Sequence, residues 1–206
     1  MRTKVFMIML ILSGVVFTGC KDNKAEQEEK ERMERMEAER EAELRAEEER
    51  MEWESNSIAA RARENQNLST LSSALQSAEL DQTLTEEEGP YTVFAPSNEA
   101  FSKIEKAKLD TLMSENRRDD LATVLKYHVV EDEITSEELI KIIEDNNGEY
   151  KFQTMEGTEL TAMLSGENVV IKDENGNTAT VIQADVDASN GVVHVIDAVV
   201  MKKAKS

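Results

Sequence analysis

Cysteine and histidine are scarce in this chain of 206 residues, which contains one cysteine and two histidines. A single thiol cannot form a disulfide within the chain. One cysteine and two histidines also fall short of the four ligands of a usual structural zinc site. We therefore expect a fold without disulfides, without a metal site and without a cofactor.

Basic residues are also in the minority, with 24 lysines and arginines against 43 aspartates and glutamates. The formal net charge is −19 at pH 7, and a surface of that sign repels the phosphate backbone of nucleic acids. Nucleic acid is therefore not an expected partner. Most of the excess lies in residues 68–206, which hold 27 acidic and 12 basic residues.

A long hydrophobic run is missing too. The apolar run near the N-terminus covers residues 5–17, and its 13 residues are fewer than the roughly 20 that a membrane-spanning helix needs. Such a length is instead typical of the apolar core of a secretory signal.

Proline occurs only at Pro90 and Pro96, on either side of residues 91–95. Pro90 has no N–H for a sheet ladder and suits the start of a strand, and Pro96 turns the residue before it away from helix. Ser97 can cap a helix that follows. The two prolines therefore predict a strand and a sharp corner into a helix, which is a folding role rather than a binding role.

The first twenty residues combine Arg2 and Lys4, the apolar run and small residues before Cys20. This arrangement resembles a bacterial lipoprotein signal, in which a peptidase cuts before a lipidated cysteine, although Phe17 stands where Leu, Val or Ile is usual. The resemblance predicts a signal peptide at 1–19, lipidation of Cys20 and attachment to a membrane of the bacterial cell envelope. The letters KDNK that follow resemble export signals that send some lipoproteins to the outer membrane or cell surface. There are two alternatives. One is an ordinary signal peptide with an incidental cysteine, and the other is a cytosolic helix.

A charged stretch follows at residues 25–54, which contain neither glycine nor proline and consist mainly of good helix formers. Glutamate precedes a basic residue by four positions in several places, as at Glu26 and Lys30, and this spacing supports a helix. Thirty residues of helix are about 45 Å long. We therefore predict that residues 20–57 form a charged helical spacer.

Apolar residues in this stretch are too few for an ordinary coiled coil. Leu44, Met51 and Ile58 recur every seven residues, but a coiled coil needs two apolar positions per heptad over several heptads. A solitary helix is therefore the preferred prediction, with a frayed helix as one alternative. The other alternative is weak dimerisation as a coiled coil through the apolar side chains Met33, Met36, Leu44, Met51 and Trp53.

The rest of the chain predicts helices first and strands afterwards, which is typical of an α+β fold with one core. Helical spacing and capping residues indicate helices at 97–106, 109–115, 117–127 and 135–145. Alternating apolar residues indicate strands at 150–154, 158–164, 168–173, 178–186 and 191–201, with a hairpin turn at Asn175-Gly176.

Three motifs in this region occur in a characteristic order. They are YTVFAPSNEAF at 91–101, YHVV at 127–130 and ASNGVVHVIDAVV at 188–200. In this order and spacing they closely resemble the fasciclin domain, and the resemblance covers about residues 58–202. It implies a single fasciclin-like domain at 58–206, built as a compact β-sandwich wedge with packed helices.

The resemblance also suggests a class of function, because fasciclin domains generally mediate adhesion or matrix contacts and are not generally enzymes. In animal members an Asp-Ile motif and a Tyr-His motif have been linked to integrin adhesion. Asp185 and Val186 match the first, with Val186 in place of Ile, and Tyr127 and His128 match the second. These four residues are the candidate partner-binding set. The plainer interpretation is a solvated carboxylate, a packed ring and hydrogen-bonded core histidines.

The residues themselves carry little sign of catalysis. Ser97 lies in APSNE, which lacks the Gly-x-Ser-x-Gly elbow of the hydrolase fold. The letters DENGNT at 173–178 place their glycine wrongly for a calcium loop. We therefore predict no catalytic and no metal-binding residues. The predicted function is that of a lipid-anchored envelope protein for adhesion to a protein, matrix or polysaccharide partner. A structural envelope spacer without a ligand and a hydrolase using Ser97 or a histidine are the alternatives.

Overall fold

The computed structural model describes residues 23–87 and 89–203. The chain divides into two compact units, with the boundary between Glu48 and Glu49. The predicted signal peptide at 1–19 and the predicted lipidation site, Cys20, lie outside the described residues. The predicted domain boundaries at 19/20 and 57/58 stay predictions.

A long helix, α1, runs from Asn23 to Ser55, which confirms that a helix precedes the domain. Its side chains from residue 24 to residue 48 are all exposed. Ion pairs four residues apart line the helix, for example between Glu41 and Arg45 at 3.7 Å. Each such exposed pair contributes only about 0.3–0.5 kcal/mol, so much of the support for this helix comes from the intrinsic helix propensity of Glu, Ala, Arg and Met.

The second unit contains seven further α-helices and seven strands among the described residues. The helices are α2 Ile58–Glu64, α3 Ser69–Ser77, α4 Leu80–Glu86, α5 Asn98–Ser102, α6 Lys106–Leu112, α7 Arg118–Lys126 and α8 Ser136–Asp145, with 3₁₀ turns at Gln66–Leu68 and Glu115–Arg117. The strands are β1 Tyr91–Pro96, β2 Val129–Val130, β3 Glu149–Gln153, β4 Glu159–Ser165, β5 Asn168–Lys172, β6 Thr178–Ala188 and β7 Gly191–Ile196.

The seven strands are joined in the order β2-β1-β7-β6-β5-β4-β3. β1 and β7 are parallel, and the other neighbours are antiparallel. β6 belongs to two halves of the sheet, because residues 178–180 pair with β5 and residues 181–188 pair with β7. The wedge therefore divides along β6.

All residues of β1 and β7 are buried. The core consists of two hydrophobic clusters, one on each face of these two strands. Side chains alternate between the faces of a strand, so Val93 and Val195 pack in the cluster under α2, α3, α4 and α7. Phe94 and Ile196 pack in the cluster under α8. The predicted central buried strand is confirmed at β7, although it ends at Ile196 rather than at residue 201.

The corner between the two prolines also has the predicted form. β1 ends at Pro96, and the Ser97 hydroxyl accepts a hydrogen bond from the Ala100 N–H at 3.1 Å, capping α5. The helix predicted at 97–106 is shorter and ends at Ser102. The reason is a change to three-residue spacing, since the Ile104 N–H bonds to the Phe101 carbonyl at 3.0 Å.

Candidate functional site

The four candidate partner-binding residues lie in two environments with different hydrogen-bonding partners. Tyr127 and His128 follow α7, between that helix and β2. Asp185 and Val186 lie in the second half of β6. The set therefore separates into a buried pair and a more accessible pair.

Tyr127 is fully buried. Its hydroxyl donates to the Glu159 carbonyl at 3.1 Å and accepts from the Glu174 N–H at 3.3 Å. Burial raises the pKa of the phenol to about 12. The ring thus connects the end of α7 to β4 and to the turn after β5, as expected of a packed core tyrosine.

His128 is 2% exposed, and both of its ring nitrogens are used. Nδ1 donates to the Val124 carbonyl at 2.7 Å, and Nε2 accepts from the Val200 N–H at 3.3 Å. These partners assign the neutral Nδ1–H tautomer, and burial lowers the pKa to about 4. A partner could reach Tyr127 and His128 only after these contacts open, and their role in partner binding stays a prediction.

Asp185 is an exposed residue with a left-handed backbone, at φ 54°. Its carboxylate accepts from the Ser136 N–H at 2.7 Å and also from the Ser136 hydroxyl. Ser136 is the first residue of α8, where the N–H groups have no partner within the helix and negative charge is stabilised. Asp185 therefore fixes the second half of β6 to the start of α8. Val186 beside it is half-buried against the first core cluster.

His194 also links the second half of β6 to the segment before α8. Its Nε2 donates to the Ile134 carbonyl at 2.9 Å, and its Nδ1 accepts from the Asp185 N–H at 3.3 Å, so the imidazole is the neutral Nε2–H tautomer. Burial lowers the pKa of His194, and the Asp185 charge opposes that shift more weakly. The expectation of a hydrogen-bonded core histidine fits both His128 and His194.

A cleft of about 200 Å³ opens beside this cluster. It lies where β5 and β6 separate, because their pairing ends at Val170 and Thr180. Ile182, which lies between two lining residues of β6, is 56% exposed. The cleft is lined by Ser136, Leu139 and Ile140 of α8, Glu167, Asn168 and Val169 around the start of β5, Val181 and Ala184 of β6, and His194.

Sequence reasoning missed this cleft, although one signal was present. The letters VIQAD at 181–185 break the strict alternation of a half-buried strand. The structure has two register shifts there, between Val181 and Gln183 and between Gln183 and Val186. Such irregularities bend a strand and are enriched beside functional sites.

The DENGNT segment forms a hairpin turn. Asp173 is buried, and its carboxylate accepts from the N–H groups of Asn175 and Asn177, both at 2.8 Å. It also accepts from the Met201 N–H at 3.1 Å, so its oxygens are occupied by the fold. Among residues 23–87 and 89–203, no three acidic, histidine or cysteine side chains are grouped to hold a metal ion. None of the helices in that part of the chain is long and apolar enough to cross a bilayer.

Comparison with known proteins agrees with the three sequence motifs and with the overall fold. The family model of the fasciclin domain matches residues 66–202. The chain belongs to the fasciclin family. A FAS1 domain pair from the insect cell adhesion molecule fasciclin I has the same fold, with a TM-score of 0.64 at 18% identity over 71% of this chain and 51% of that chain.

Several curated proteins are similar in sequence. Protein sll1483 of Synechocystis is 40% identical over 141 residues, which cover 66% of this chain and 68% of that protein. Transforming growth factor-beta-induced protein ig-h3 of the pig is 34% identical, and the match spans 66% of this chain but 18% of that protein. Cell surface glycolipoprotein MPB83 of Mycobacterium bovis is 30% identical over 72% of this chain and 61% of its own length.

Proposed function

We propose that this protein is a lipid-anchored component of a bacterial cell envelope that displays its fasciclin domain for adhesion to a partner. The cleft at β5 and β6 carries the proposal, because it is an accessible, partly apolar surface on a domain of a family that includes an insect cell adhesion molecule. Of the candidate set, Asp185 lies at the edge of this surface, with its carboxylate bound to the cleft-lining Ser136, while Val186 packs against the first core cluster.

The anchor in this proposal is lipidated Cys20. Its support is the lipoprotein-like signal at residues 1–20 and the likeness to a mycobacterial protein whose name is cell surface glycolipoprotein. A mature lipoprotein cysteine carries several acyl chains, and stable anchoring needs more than one. Helix α1 would then act as the spacer between the lipid and the domain, at the outer membrane or cell surface.

The partner in this proposal is a protein or matrix polypeptide rather than a polysaccharide. Sugar rings bind well to exposed aromatic faces. Among the aromatic side chains of the described residues, Tyr91, Phe94, Phe101, Tyr127 and Phe152 are buried, and Trp53 and Tyr150 are half-exposed. The net charge of −19 favours a partner with a positive surface.

A binding module fits the chemistry of the domain better than a hydrolase does. The Ser97 hydroxyl caps α5, and the ring nitrogens of His128 and His194 are each engaged with main-chain groups. A nucleophile needs a base within hydrogen-bond reach, and these side chains serve the fold. The second candidate function is a structural spacer without a ligand, which the exposure of α1 from residue 24 to residue 48 favours.

An array of matrix proteins and glycans probed with the purified protein tests the proposal. An unrelated acidic domain of similar net charge is the control for non-specific attraction. We expect selective binding to one or a few proteins, weakened by salt because the attraction is partly electrostatic. Binding no stronger than that of the acidic control would favour the spacer.

A further inference from the structure

We propose that the cleft between β5 and β6 binds an extended peptide segment of the partner as an added strand. An aliphatic side chain of the segment would pack against α8, and a lysine or arginine would lie beside Glu167. This proposal rests on the proposed function, because it names the partner chemistry of the same surface.

The edges of two strands, β5 and β6, face this cleft. β6 is 11 residues long, but β5 pairs with it only at residues 178–180. Within the part of the chain that the structure describes, no strand pairs with residues 181–184 on the β5 side of β6. Asn168 and Val169 likewise lie beyond the last β5 residue paired with β6. Free strand edges present N–H and C=O groups, and an extended peptide can complete them.

The end of the cleft suits one aliphatic side chain. Leu139 and Ile140 of α8 and Val181 of β6 are apolar lining residues, and the His194 ring lies among them with both nitrogens engaged. About 200 Å³ is less than the roughly 300–1,000 Å³ of a typical small-molecule pocket. The cleft is therefore large enough for a side chain and its own backbone rather than for a separate ligand.

The negative charges around the cleft favour a lysine or arginine next to the aliphatic side chain of the bound peptide. Glu167 lines the cleft, and Asp185 lies at its edge with its carboxylate bound to Ser136. Both side chains are negative in a chain of net charge −19. Complementary charge speeds association and fixes register more than it adds affinity, so the basic residue orients the peptide while the backbone and the aliphatic side chain hold it.

The irregular part of β6 keeps this edge available. Two register shifts lie between Val181 and Val186, and Asp185 is held at φ 54° by its bonds to Ser136 and His194. A bulged strand turns away from regular pairing, and a non-glycine residue in the left-handed region costs energy that the fold must offset. A regular β6 would instead continue to pair with β5 and close the gap.

Titration of the isotope-labelled protein with short peptides, followed by NMR, tests the proposal. The probe is N-acetyl Lys-Val-Lys-Val-Lys amide, and the controls are Lys-Ser-Lys-Ser-Lys, Glu-Val-Glu-Val-Glu and a form of the probe methylated on its valine nitrogens. We expect amide shifts at residues 167–169 and 181–184 with the probe, and much smaller shifts with all three controls. Equal shifts with the methylated probe, or shifts spread over the acidic surface, would overturn the added strand.

A matched pair of variants localises the site. Ala184→Leu fills the cleft, while Thr178→Leu adds the same side chain at an exposed position in the first half of β6. We expect the Kd for the probe to rise at least about tenfold, or about 1.4 kcal/mol, for Ala184→Leu only. Ala184→Val, a smaller filling of the same lining position, replaces it if Ala184→Leu fails to fold. An array partner bound equally by wild type and Ala184→Leu would sink this inference and leave the proposed function standing.

Discussion

Asn190 is a single buried side chain that joins three segments of the fasciclin domain. Its Oδ1 accepts from the Ile58 N–H at 2.9 Å, and its Nδ2 donates to the carbonyls of Leu84 and Glu87 at 2.9 and 3.1 Å. The residue is 1% exposed. The hairpin between β6 and β7, the start of α2 and the end of α4 therefore depend on one amide.

Replacing this amide is expected to be costly. Asn190→Ala leaves the buried Ile58 N–H, the buried Leu84 carbonyl and the part-buried Glu87 carbonyl without their partner, and each unsatisfied buried group costs about 1–3 kcal/mol. We expect the free energy of unfolding to fall by about 2–4 kcal/mol, measured by urea denaturation. Exposed Asn67 is the control, and Asn67→Ala should change stability by less than about 0.5 kcal/mol. Similar losses for both variants would contradict the role of Asn190.

His128 gives the domain a pH dependence at the residue scale. Burial lowers its pKa from the ordinary 6.5 to about 4 in the fold, so the unfolded chain binds the proton more readily. The stability contributed by neutral His128 is therefore complete above about pH 6.5 and is lost as the pH falls towards 4. The full loss is about 3 kcal/mol, at 1.36 kcal/mol per pKa unit.

The slope of stability against pH measures this effect. We expect His128→Gln to be less stable than wild type at pH 7 but to lose less stability between pH 7 and pH 4.5, followed by urea denaturation. The two proteins share every other ionisable group, so the contributions of those groups cancel in the comparison. Parallel curves for the two proteins would show that His128 does not titrate in this range.

At the scale of elements, β1 and β7 approach each other more closely than a side chain at Gly191 would allow. Gly191 has φ 144°, and a Cβ built on it would lie 1.9 Å from the Tyr91 carbonyl oxygen. Gly191→Ala must therefore displace the backbone of one strand, and we expect little folded protein by circular dichroism. Gly176→Ala, at φ 86° with no atom within 4 Å of the new Cβ, should fold at a cost of about 1–2 kcal/mol. Comparable stability of the two variants would contradict this close pairing.

Helix α1 carries a narrow apolar stripe. Met33, Leu44 and Met51 are 62%, 53% and 53% exposed, and their spacing puts them near one face of a helix. Glu37 and Arg40 lie between them in sequence on a similar face, so the stripe falls short of two apolar positions per heptad.

We therefore expect the protein with Cys20→Ser to sediment as a monomer at micromolar concentration. Adding apolar side chains through Glu37→Leu and Arg40→Leu should instead cause dimerisation. A wild-type dimer that Leu44→Asp dissociates would establish the coiled coil and contradict the solitary helix.

Elements whose residues carry a local signal could be predicted from the sequence. Pro90, Pro96 and Ser97 set the strand-to-helix corner by backbone chemistry alone, and β7 was evident because its residues are apolar on both faces. The cleft could not be predicted, because it depends on where β6 changes partner from β5 to β7. That point follows from the twist and register of the whole sheet. Asp185 was singled out from the family motif, but its bond to Ser136, 49 residues away, has no local signal.

At the scale of the whole molecule, the proposed protein combines a lipid anchor, a charged helix and a fasciclin domain with an open strand edge. Each part has a separate function in this proposal. We propose that Cys20 holds the protein in the envelope, that α1 separates the domain from the lipid, and that the cleft at β5 and β6 binds the partner. In this proposal, adhesion of a cell depends on all three parts.

Retention of intact bacterial cells on a surface coated with the strongest protein hit of the array tests this combination most directly. Cells that produce the wild-type chain should be retained. Cells that produce Cys20→Ala should be lost, because the domain is no longer attached to the membrane. Ala184→Leu should reduce retention, and Thr178→Leu should not. Equal retention of wild-type and Cys20→Ala cells, or of wild-type cells and cells without the chain, would contradict anchored adhesion.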